Sequence, residues 1–230
     1  MEYLIGSLVV GVLWVACLIL RKDLRYQMLW AGGLYAAVMT VGFFAVKLFK
    51  NIPEYQAINP GYWTPDTLFD LNYITGGFSI EDVLFMLFFG GIVAVMYELI
   101  MRVPPPSASI RSGAKLSIPL GIVAAALVSL TGVNLIYSLI IFGFVGAFVI
   151  WLQRPDLIRR SLVSGASFLV LYIGLYSIFL FFFPTFVTVH YNLENISGVV
   201  PLGIPLEEYL YALGFGSSWS VVYPYMRALG

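Results

Sequence analysis

The chain has 230 residues, of which 60% are hydrophobic and only 10% are charged, and its formal net charge at pH 7 is zero. Soluble domains usually carry about 25% charged residues. This composition therefore excludes an ordinary soluble globule and indicates a chain that folds in lipid. No basic run points to nucleic acid. The single cysteine, Cys17, excludes an intrachain disulfide and a cysteine-built metal site.

Seven apolar segments follow one another along the chain, and most reach the roughly 17–25 residues that a membrane-spanning helix needs. In order they are 3–20, 27–49, 80–101, 116–130, 132–152, 161–183 and 206–226. The first lacks a basic n-region and is interpreted as a helix, not as a cleaved signal. One helix over 116–152 would be about 55 Å long, so a turn is predicted at 131–134, where Gly132 and Asn134 suit it.

The basic residues predict an orientation. With seven spans, ten of the twelve Lys and Arg residues share one side, and only Lys47 and Lys50 lie on the other. Six spans would divide them evenly. Because positively charged loops stay in the cytoplasm, we expect an integral protein of the cell membrane with its N-terminus outside and its C-terminus in the cytoplasm.

The chain also contains an internal repeat. Residues 77–90 align without a gap on 203–216, at an offset of 126, with six of fourteen positions identical. Residues 21–24 align on 154–157 at an offset of 133. We therefore predict an all-α integral membrane protein whose seven transmembrane helices form two parallel three-helix repeats, 1–103 and 131–230. A linker and one linking helix, 104–130, join them. Such repeats occur among transporters, so the repeat alone does not choose a function.

A pair of acidic residues opens the third helix of each repeat, Glu81-Asp82 and Glu207-Glu208. Ionisable groups at membrane depth are costly and are candidates for function. Two adjacent carboxyls repel, so one can hold a proton while the other is ionised, which supplies a proton donor and an acceptor together. Helix capping is the alternative, since Ser79 and Asp82 have capping-box spacing. Pro205 likewise suits a first helical position.

Three further features lie outside the acidic pairs: an aromatic outer loop, a glutamate in the third apolar segment and a single histidine. The outer loop 51–78 is rich in aromatic residues, which indicates an interfacial belt or a lid over a hydrophobic ligand. Glu98 is expected to snorkel or to pair with Arg102 four residues later. His190, the only histidine, is expected to decorate the outer interface, with no second histidine for a metal site.

The two acidic motifs resemble the membrane lycopene cyclase domain family. Each has Gly, a spacer, Pro or Ser, an apolar residue, and then Glu-Glu or Glu-Asp opening an aromatic helix. The Arg-Pro-Asp-Leu turn at 154–157 resembles the same family. The likeness is to the fused form of the heterodimeric-type carotenoid cyclases, with 1–103 resembling one subunit and 131–230 the other. The first copy departs from the pattern, with Ser79 for Pro, Asp82 for the second Glu and Lys22 for the Pro of the turn.

The resemblance implies cyclisation of the ψ end groups of lycopene to β-ionone rings, by protonation, ring closure and deprotonation, without net redox change or a cofactor. It makes the four acids the catalytic candidates, with Glu207 and Glu208 as the principal pair and Glu81 and Asp82 in support. Aromatic residues nearby, which could equally be packing or lipid-facing groups, are expected to bind the substrate and stabilise a cation: Phe85, Phe89, Tyr211 and Phe215.

The expected partners are lycopene or a related linear carotenoid and membrane lipid, with no nucleic acid. A C50 carotenoid and another ring isomer stay open. A retinal protein is excluded because no lysine follows Lys115 for a Schiff base. A proton-coupled transporter is less favoured, since transporter sites lie on broken helices near the midplane and these acids are expected at the outer ends of intact helices. A non-catalytic carotenoid- or lipid-binding protein remains an alternative.

Overall fold

The computed structural model describes residues 2–49, 52–106 and 116–227. In the first half the helices are α1 (Glu2–Leu20), α2 (Arg25–Phe49), α3 (Leu71–Thr75), α4 (Ile80–Ala94) and α5 (Met96–Met101). In the second half they are α6 (Ser117–Ser129), α7 (Leu135–Gln153), α8 (Ile158–Phe182), α9 (Phe186–His190), α10 (Leu206–Trp219) and α11 (Val222–Arg227). The described residues form helices and short 3-10 turns, with one isolated β-bridge between Trp63 and Tyr191. The all-α prediction is confirmed for this part of the chain.

Length and apolarity qualify four of the described helices to cross a membrane, namely α1, α2, α7 and α8. The pair α3 and α4, bent by 96° at its break, makes a fifth if it is counted as one span. The helix α6, with 13 residues, is about 20 Å long and falls short of the roughly 30 Å hydrocarbon core. The seven-span arrangement therefore stays a prediction.

The third helix of each half is broken, where the sequence predicted one continuous helix. The break between α4 and α5 falls at Val95, and that between α10 and α11 at Ser220 and Val221. Val95 and Val221 are separated by the offset of 126 that relates the acidic pairs, and both are fully buried. The expectation of intact helices is thus wrong. Both breaks lie beyond the far ends of α4 and α10 from the acidic pairs, so they do not place those acids at a discontinuity.

Close helix crossings hold each half together. The helix α4 packs against α1 and α2, and α10 packs against α7 and α8. A Cβ added at Gly32 would lie 2.3 Å from the backbone oxygen of Leu87, and one at Gly165 would lie 2.2 Å from Oγ of Ser217. At Gly32 only glycine permits this approach of two backbones, as is common between membrane helices, and at Gly165 a side chain would collide with the side chain of Ser217. Gly32 and Gly165 are separated by 133 residues, the offset that relates the two basic turns.

The predicted turn between α6 and α7 is confirmed. Gly132 has a φ of +87°, which a residue with a side chain rarely adopts. Asn134 caps α7, because its Oδ1 accepts a hydrogen bond from the backbone N–H of Ile136 at 3.0 Å. Its Nδ2 donates to the backbone oxygens of Tyr55 and Ala57 in the first outer loop. This residue therefore joins a helix of the second half to a loop of the first.

Both halves share one hydrophobic core. The largest cluster of buried side chains draws on α1, α2, α4 and α5 of the first half and on α8, α10 and α11 of the second. Trp219 reaches across, with its Nε1 donating to the backbone oxygen of Ala31 at 3.3 Å. Large apolar side chains also cover the outer faces of the helices, among them Val12 at 69% exposure and Val170 at 74%. Such an apolar outer surface is unusual for a protein dissolved in water.

Buried and paired charges occupy the ends of the helices remote from the acidic pairs. The guanidinium of Arg21 makes a two-pronged pair with Asp23, at 3.0 and 2.8 Å, and Arg154 makes the same pair with Asp156, at 2.8 and 2.7 Å. Glu98 does not pair with Arg102. It is fully buried, and Oε1 accepts from Arg160 of α8 and, at 3.1 Å, from Gln27 of α2. The expectation for Glu98 is wrong because Arg102 adopts a left-handed backbone conformation at the end of α5.

Candidate active site

The first acidic pair combines a helix cap with a contact from α1. Ser79 and Asp82 form the predicted capping box, with Oδ2 of Asp82 accepting from the Ser79 backbone N–H at 2.7 Å and from its hydroxyl at 2.9 Å. The other oxygen, Oδ1, accepts from the hydroxyl of Tyr3 at 2.7 Å. Asp82 is therefore held by the start of α4 and by α1 together, so capping is part of its role.

The second pair is built differently, because no side chain caps α10. Pro205 lies at the N-cap, one residue before the first helical position that the sequence suggested. Glu208 bonds to this N-cap residue through its backbone, with the Glu208 N–H donating to the Pro205 oxygen at 3.0 Å. The Glu208 carboxylate is thus not engaged in capping and is available for other contacts.

Three tyrosine hydroxyls converge on that carboxylate. Tyr62 and Tyr191 donate to Oε1 at 2.6 and 2.9 Å, and Tyr172 of α8 donates to Oε2. Tyr62 belongs to the outer loop of the first half, so both halves build the surroundings of Glu208. Burial raises the pKa of Tyr62 and of Tyr191 well above the usual value, and the nearby Glu208 charge raises each further. Both phenols therefore stay protonated at neutral pH and act as donors.

The first acid of each pair contacts an outer loop. Oε1 of Glu81 accepts from the backbone N–H of Leu68 at 2.7 Å. Oε1 of Glu207 accepts from the backbone N–H of Ser197 at 2.9 Å and from the Tyr137 hydroxyl at 2.8 Å. Neighbouring helical residues point about 100° apart, which is why each pair splits its two acids between a loop and another direction.

Glu81 and Glu207 are also the less exposed members of their pairs. Glu81 is fully buried and Glu207 is 1% exposed. In each, the second oxygen, Oε2, is buried without a hydrogen-bond partner. Neither residue lines the cavity described below, so the structure separates them from Asp82 and Glu208.

The two outer loops pair with each other above the acidic residues. The bridge between Trp63 and Tyr191 is flanked by backbone hydrogen bonds, from Thr64 N–H to the His190 oxygen at 2.8 Å and from Asn192 N–H to the Tyr62 oxygen at 2.9 Å. His190 is 9% exposed, so it is buried in this lid and does not decorate the interface as expected. Tyr55 and Tyr73 of the first loop are more than half-exposed and suit an interfacial belt.

Beneath this lid lies a cavity of about 550 Å³ with an almost entirely apolar lining. The volume is within the usual range for a small-molecule site, roughly 300–1,000 Å³. Asp82 and Glu208 both line it, so one acid from each half faces the same space. Aromatic side chains supply much of the wall: Tyr3, Tyr35, Tyr62, Trp63, Phe85, Phe89, Tyr172, Tyr176, Phe179, Phe182, Phe183, Phe186, Tyr191 and Tyr211.

Three of the four aromatic residues singled out in the sequence line this cavity, namely Phe85, Phe89 and Tyr211. Phe215 does not. It lies one turn further along α10 and stacks behind Tyr211, with ring centroids 5.7 Å apart. Tyr211 shares a hydrogen bond with the hydroxyl of Tyr35, 2.5 Å away on α2. These two tyrosines join the first half to the second across the cavity.

Sequence reasoning missed the tyrosines that contact the acids. Tyr62 belonged to the aromatic set noted in the outer loop, which gave a weak signal. Tyr3, Tyr172 and Tyr191 gave none, because their partners lie far along the chain. The repeat offset pairs Tyr172 with Met39, so the internal repeat does not find it either. Within the residues that the structure describes, no group of three or more His, Cys, Asp or Glu side chains is placed to hold a metal ion.

The cavity combines two carboxyls with apolar and aromatic walls, a lining that suits a hydrophobic ligand. Comparison with known families is more specific. Residues 134–226 match the family model described as lycopene cyclase, so this part of the chain is similar to that family. The match begins at the N-cap of α7, ends in α11 and includes Glu207 and Glu208. No curated protein and no solved structure matches the chain.

Proposed function

We propose that the chain is a carotenoid cyclase that converts the linear ψ end groups of lycopene into β-ionone rings, and that the cavity lined by Asp82 and Glu208 is its active site. The observation that carries the proposal is the position of these two carboxyls, one from each half, on a single apolar cavity with aromatic walls. The similarity of 134–226 to the lycopene cyclase family supplies the chemical class.

The proposed reaction is an isomerisation that needs one acid and one base. A carboxylic acid protonates the terminal double bond of the polyene, which leaves a tertiary cation. The next double bond along the same chain attacks that cation, closes the six-membered ring and moves the positive charge into it. A carboxylate then removes a ring proton, and a ring double bond forms. One proton enters and one leaves, so no electrons are exchanged with a cofactor.

Within this scheme Glu208 accepts the proton and Asp82 donates it. Three phenol donors suit an anionic carboxylate at Glu208, which also stabilises the positive charge of the ring. Asp82 is the other carboxyl on the cavity. When it carries the proton at the start of each reaction cycle, its contact with Tyr3 reverses, and Oδ1–H donates to the tyrosine oxygen. The roles of Glu81 and Glu207 are to hold the outer loops in place, through Leu68 and Ser197. Aromatic faces of Phe85, Phe89 and Tyr211 stabilise the cation.

We also propose that the two halves are repeats of one three-helix unit, 1–103 and 131–230, joined through 104–130. The two-pronged pairs at Arg21 and Arg154 have the same geometry. The breaks at Val95 and Val221 and the close crossings at Gly32 and Gly165 recur at the offsets of the sequence alignment. These matching features support a duplication, with both copies contributing to one cavity.

The proposed setting is a membrane, crossed by α1, α2, α4 with α5, α6, α7, α8 and α10 with α11. The exposed apolar faces of α1, α2 and α8 support it, because such faces are stable in lipid. With seven spans, the ten-to-two distribution of basic residues supports an N-terminus outside and a C-terminus in the cytoplasm. A reporter fused after Gly230 is expected to be cytoplasmic, and one inserted at 54–56 external. An external C-terminus would contradict the arrangement.

The direct test is expression in bacteria that accumulate lycopene, followed by chromatography of the pigments. We expect red lycopene to be replaced by orange-yellow cyclic product, and β-carotene to be the end product. Lycopene that stays linear while the protein is inserted and binds the pigment would instead identify a non-catalytic carotenoid-binding protein. Inserted protein that neither binds nor converts lycopene would contradict the proposal.

A further inference from the structure

The cavity opens sideways at a slot between α1 and α8. Ile5 and Val9 of α1 line the cavity and are 46% and 50% exposed, and Ile178 and Phe182 of α8 line it and are 60% and 68% exposed. A residue that both lines a cavity and is half-exposed lies where that cavity meets the outer surface. The slot is therefore defined by these four residues, and all of them are apolar.

The lid formed by the two outer loops closes the cavity on the side above the acidic residues. Tyr62 and Phe186 line the cavity and are each 3% exposed, and the backbone hydrogen bonds between the loops lie next to them. Gly6 of α1 faces Phe179 of α8 beside the slot, and an added Cβ at Gly6 would lie 3.5 Å from the ring of Phe179. The absent side chain at Gly6 leaves room beside a single aromatic ring, which can turn about its side-chain bonds.

We infer that a linear polyene enters laterally through this slot, and that its unreacted part stays in the slot and the surrounding lipid while one end occupies the cavity. The inference rests on the proposed function for the chemistry of the occupant. A stiff conjugated chain of forty carbons cannot coil into a compact cavity of about 550 Å³. It therefore has to leave the cavity somewhere, and the slot offers an apolar exit at the depth of the lipid.

Bulky substitutions on the slot test the inference in lycopene-containing proteoliposomes. Val9→Trp and Ile178→Trp fill the slot, and we expect each to lower the rate of ring formation by at least about tenfold. The matched controls are Val12→Trp and Val170→Trp, on outer faces of the same two helices that do not line the cavity. They are expected to retain wild-type rates. Equal rates in the slot and control variants would overturn the inference.

A reversible block separates obstruction from misfolding. With Cys17→Ser as background, Val9→Cys is labelled with a long-chain alkyl thiosulfonate, which should stop turnover, and reduction should restore it. The same label on Val12→Cys should leave turnover unchanged.

Measuring whether lycopene occupies the slot tests the slot separately from the cyclase reaction. Lycopene in the membrane should slow labelling of Val9→Cys by a lipid-soluble maleimide but not labelling of Val12→Cys. Protection without ring formation would retain the slot and reject the cyclase. Ring formation without protection would retain the cyclase and reject the slot.

Discussion

Neighbouring side chains on a helix point about 100° apart. In each acidic pair, one acid therefore contacts an outer loop and the other faces the cavity. Glu81 and Glu207 contact backbone N–H groups of the outer loops, while Asp82 and Glu208 face the cavity. This helical geometry alone means that the two acids of a pair cannot point to one place. The sequence did not predict which of them faces inward, because that depends on loop N–H groups at Leu68 and Ser197.

The first prediction distinguishes the proposed acid from the proposed base. Asp82→Asn removes the proton donor, so it should lower formation of every cyclic product by roughly 10²-fold or more. Glu208→Gln should lower β-ring formation as strongly, but it leaves protonation possible. The ring cation is then deprotonated elsewhere, so the residual product should contain rings with a displaced double bond. The measurement is product per folded protein, resolved by chromatography.

The carboxylate control for both variants is Glu194→Gln, an exposed residue of the second outer loop. It should keep wild-type turnover. The assignment of roles would be reversed if Asp82→Asn gave the displaced rings and Glu208→Gln gave none. Near-wild-type turnover in both variants would remove these carboxyls from the reaction.

A second prediction concerns the phenols around Glu208. Tyr62→Phe deletes one hydrogen bond to this carboxylate and keeps the ring. A hydrogen bond to a charged group is worth about 1.5–3 kcal/mol, so turnover should fall by roughly tenfold or more. Tyr55→Phe is the matched control, because Tyr55 lies on the same loop and is 54% exposed. If both variants behave alike, Tyr62 acts only through packing.

At the scale of elements, the sequence predicted the helices better than their interruptions. The turn at 131–134 was predicted because Gly132 and Asn134 suit a tight turn; the capping role of Asn134 was not predicted. The break before α11 also had a readable signal, since Pro224 cannot donate a hydrogen bond to Ser220 and its ring crowds that residue. The break at Val95 had no such signal. No proline or glycine lies between Val95 and Arg102, and this break is set by packing between helices distant in sequence.

The third prediction tests the joint that Asn134 makes between α7 and the first outer loop. Asn134→Ala removes both the cap and the two donors to the loop, so it should cost about 1 kcal/mol or more of stability and lower turnover. Asn134→Asp keeps the capping oxygen but sets a buried carboxylate oxygen against the two loop carbonyls. It should therefore lower thermal stability in detergent more than Asn134→Ala does, and turnover should fall further. Wild-type stability and turnover of Asn134→Asp would show that the loop contact is unimportant.

At the scale of the whole molecule, residues from both halves of the chain line one cavity. The division into the halves 1–103 and 131–230 stays a prediction from the sequence. The sequence did not predict that helices of both halves share a core or that Tyr62 contacts Glu208. Those contacts join residues more than a hundred positions apart. The shared cavity also implies that one end group reacts at a time, so a monocyclic carotenoid should appear and then decay before the bicyclic product accumulates.

The fourth prediction is that the chain works when cut. Co-expression of 1–106 with 107–230 should give cyclic product, because the halves contact each other through the core and through the Arg160–Glu98 pair. Neither piece alone should be active. Arg160→Gln in the cut protein should reduce co-purification of the pieces, since losing one partner of a buried ion pair costs about 3–5 kcal/mol. Activity from 107–230 alone would show that Asp82 is dispensable.

The central claim is ring closure by proton transfer between protein carboxyls and the polyene, and isotope incorporation tests it most directly. Purified protein in lycopene-containing liposomes is transferred to D2O, and the carotenoids are analysed by mass spectrometry. Each ring should gain one deuterium from an exchanged carboxyl and lose one of the original hydrogens, so β-carotene should be two mass units heavier than the lycopene supplied. Asp82→Asn should leave lycopene linear and unlabelled. Cyclic product that carries no deuterium, or undiminished labelled product from Asp82→Asn, would contradict the account.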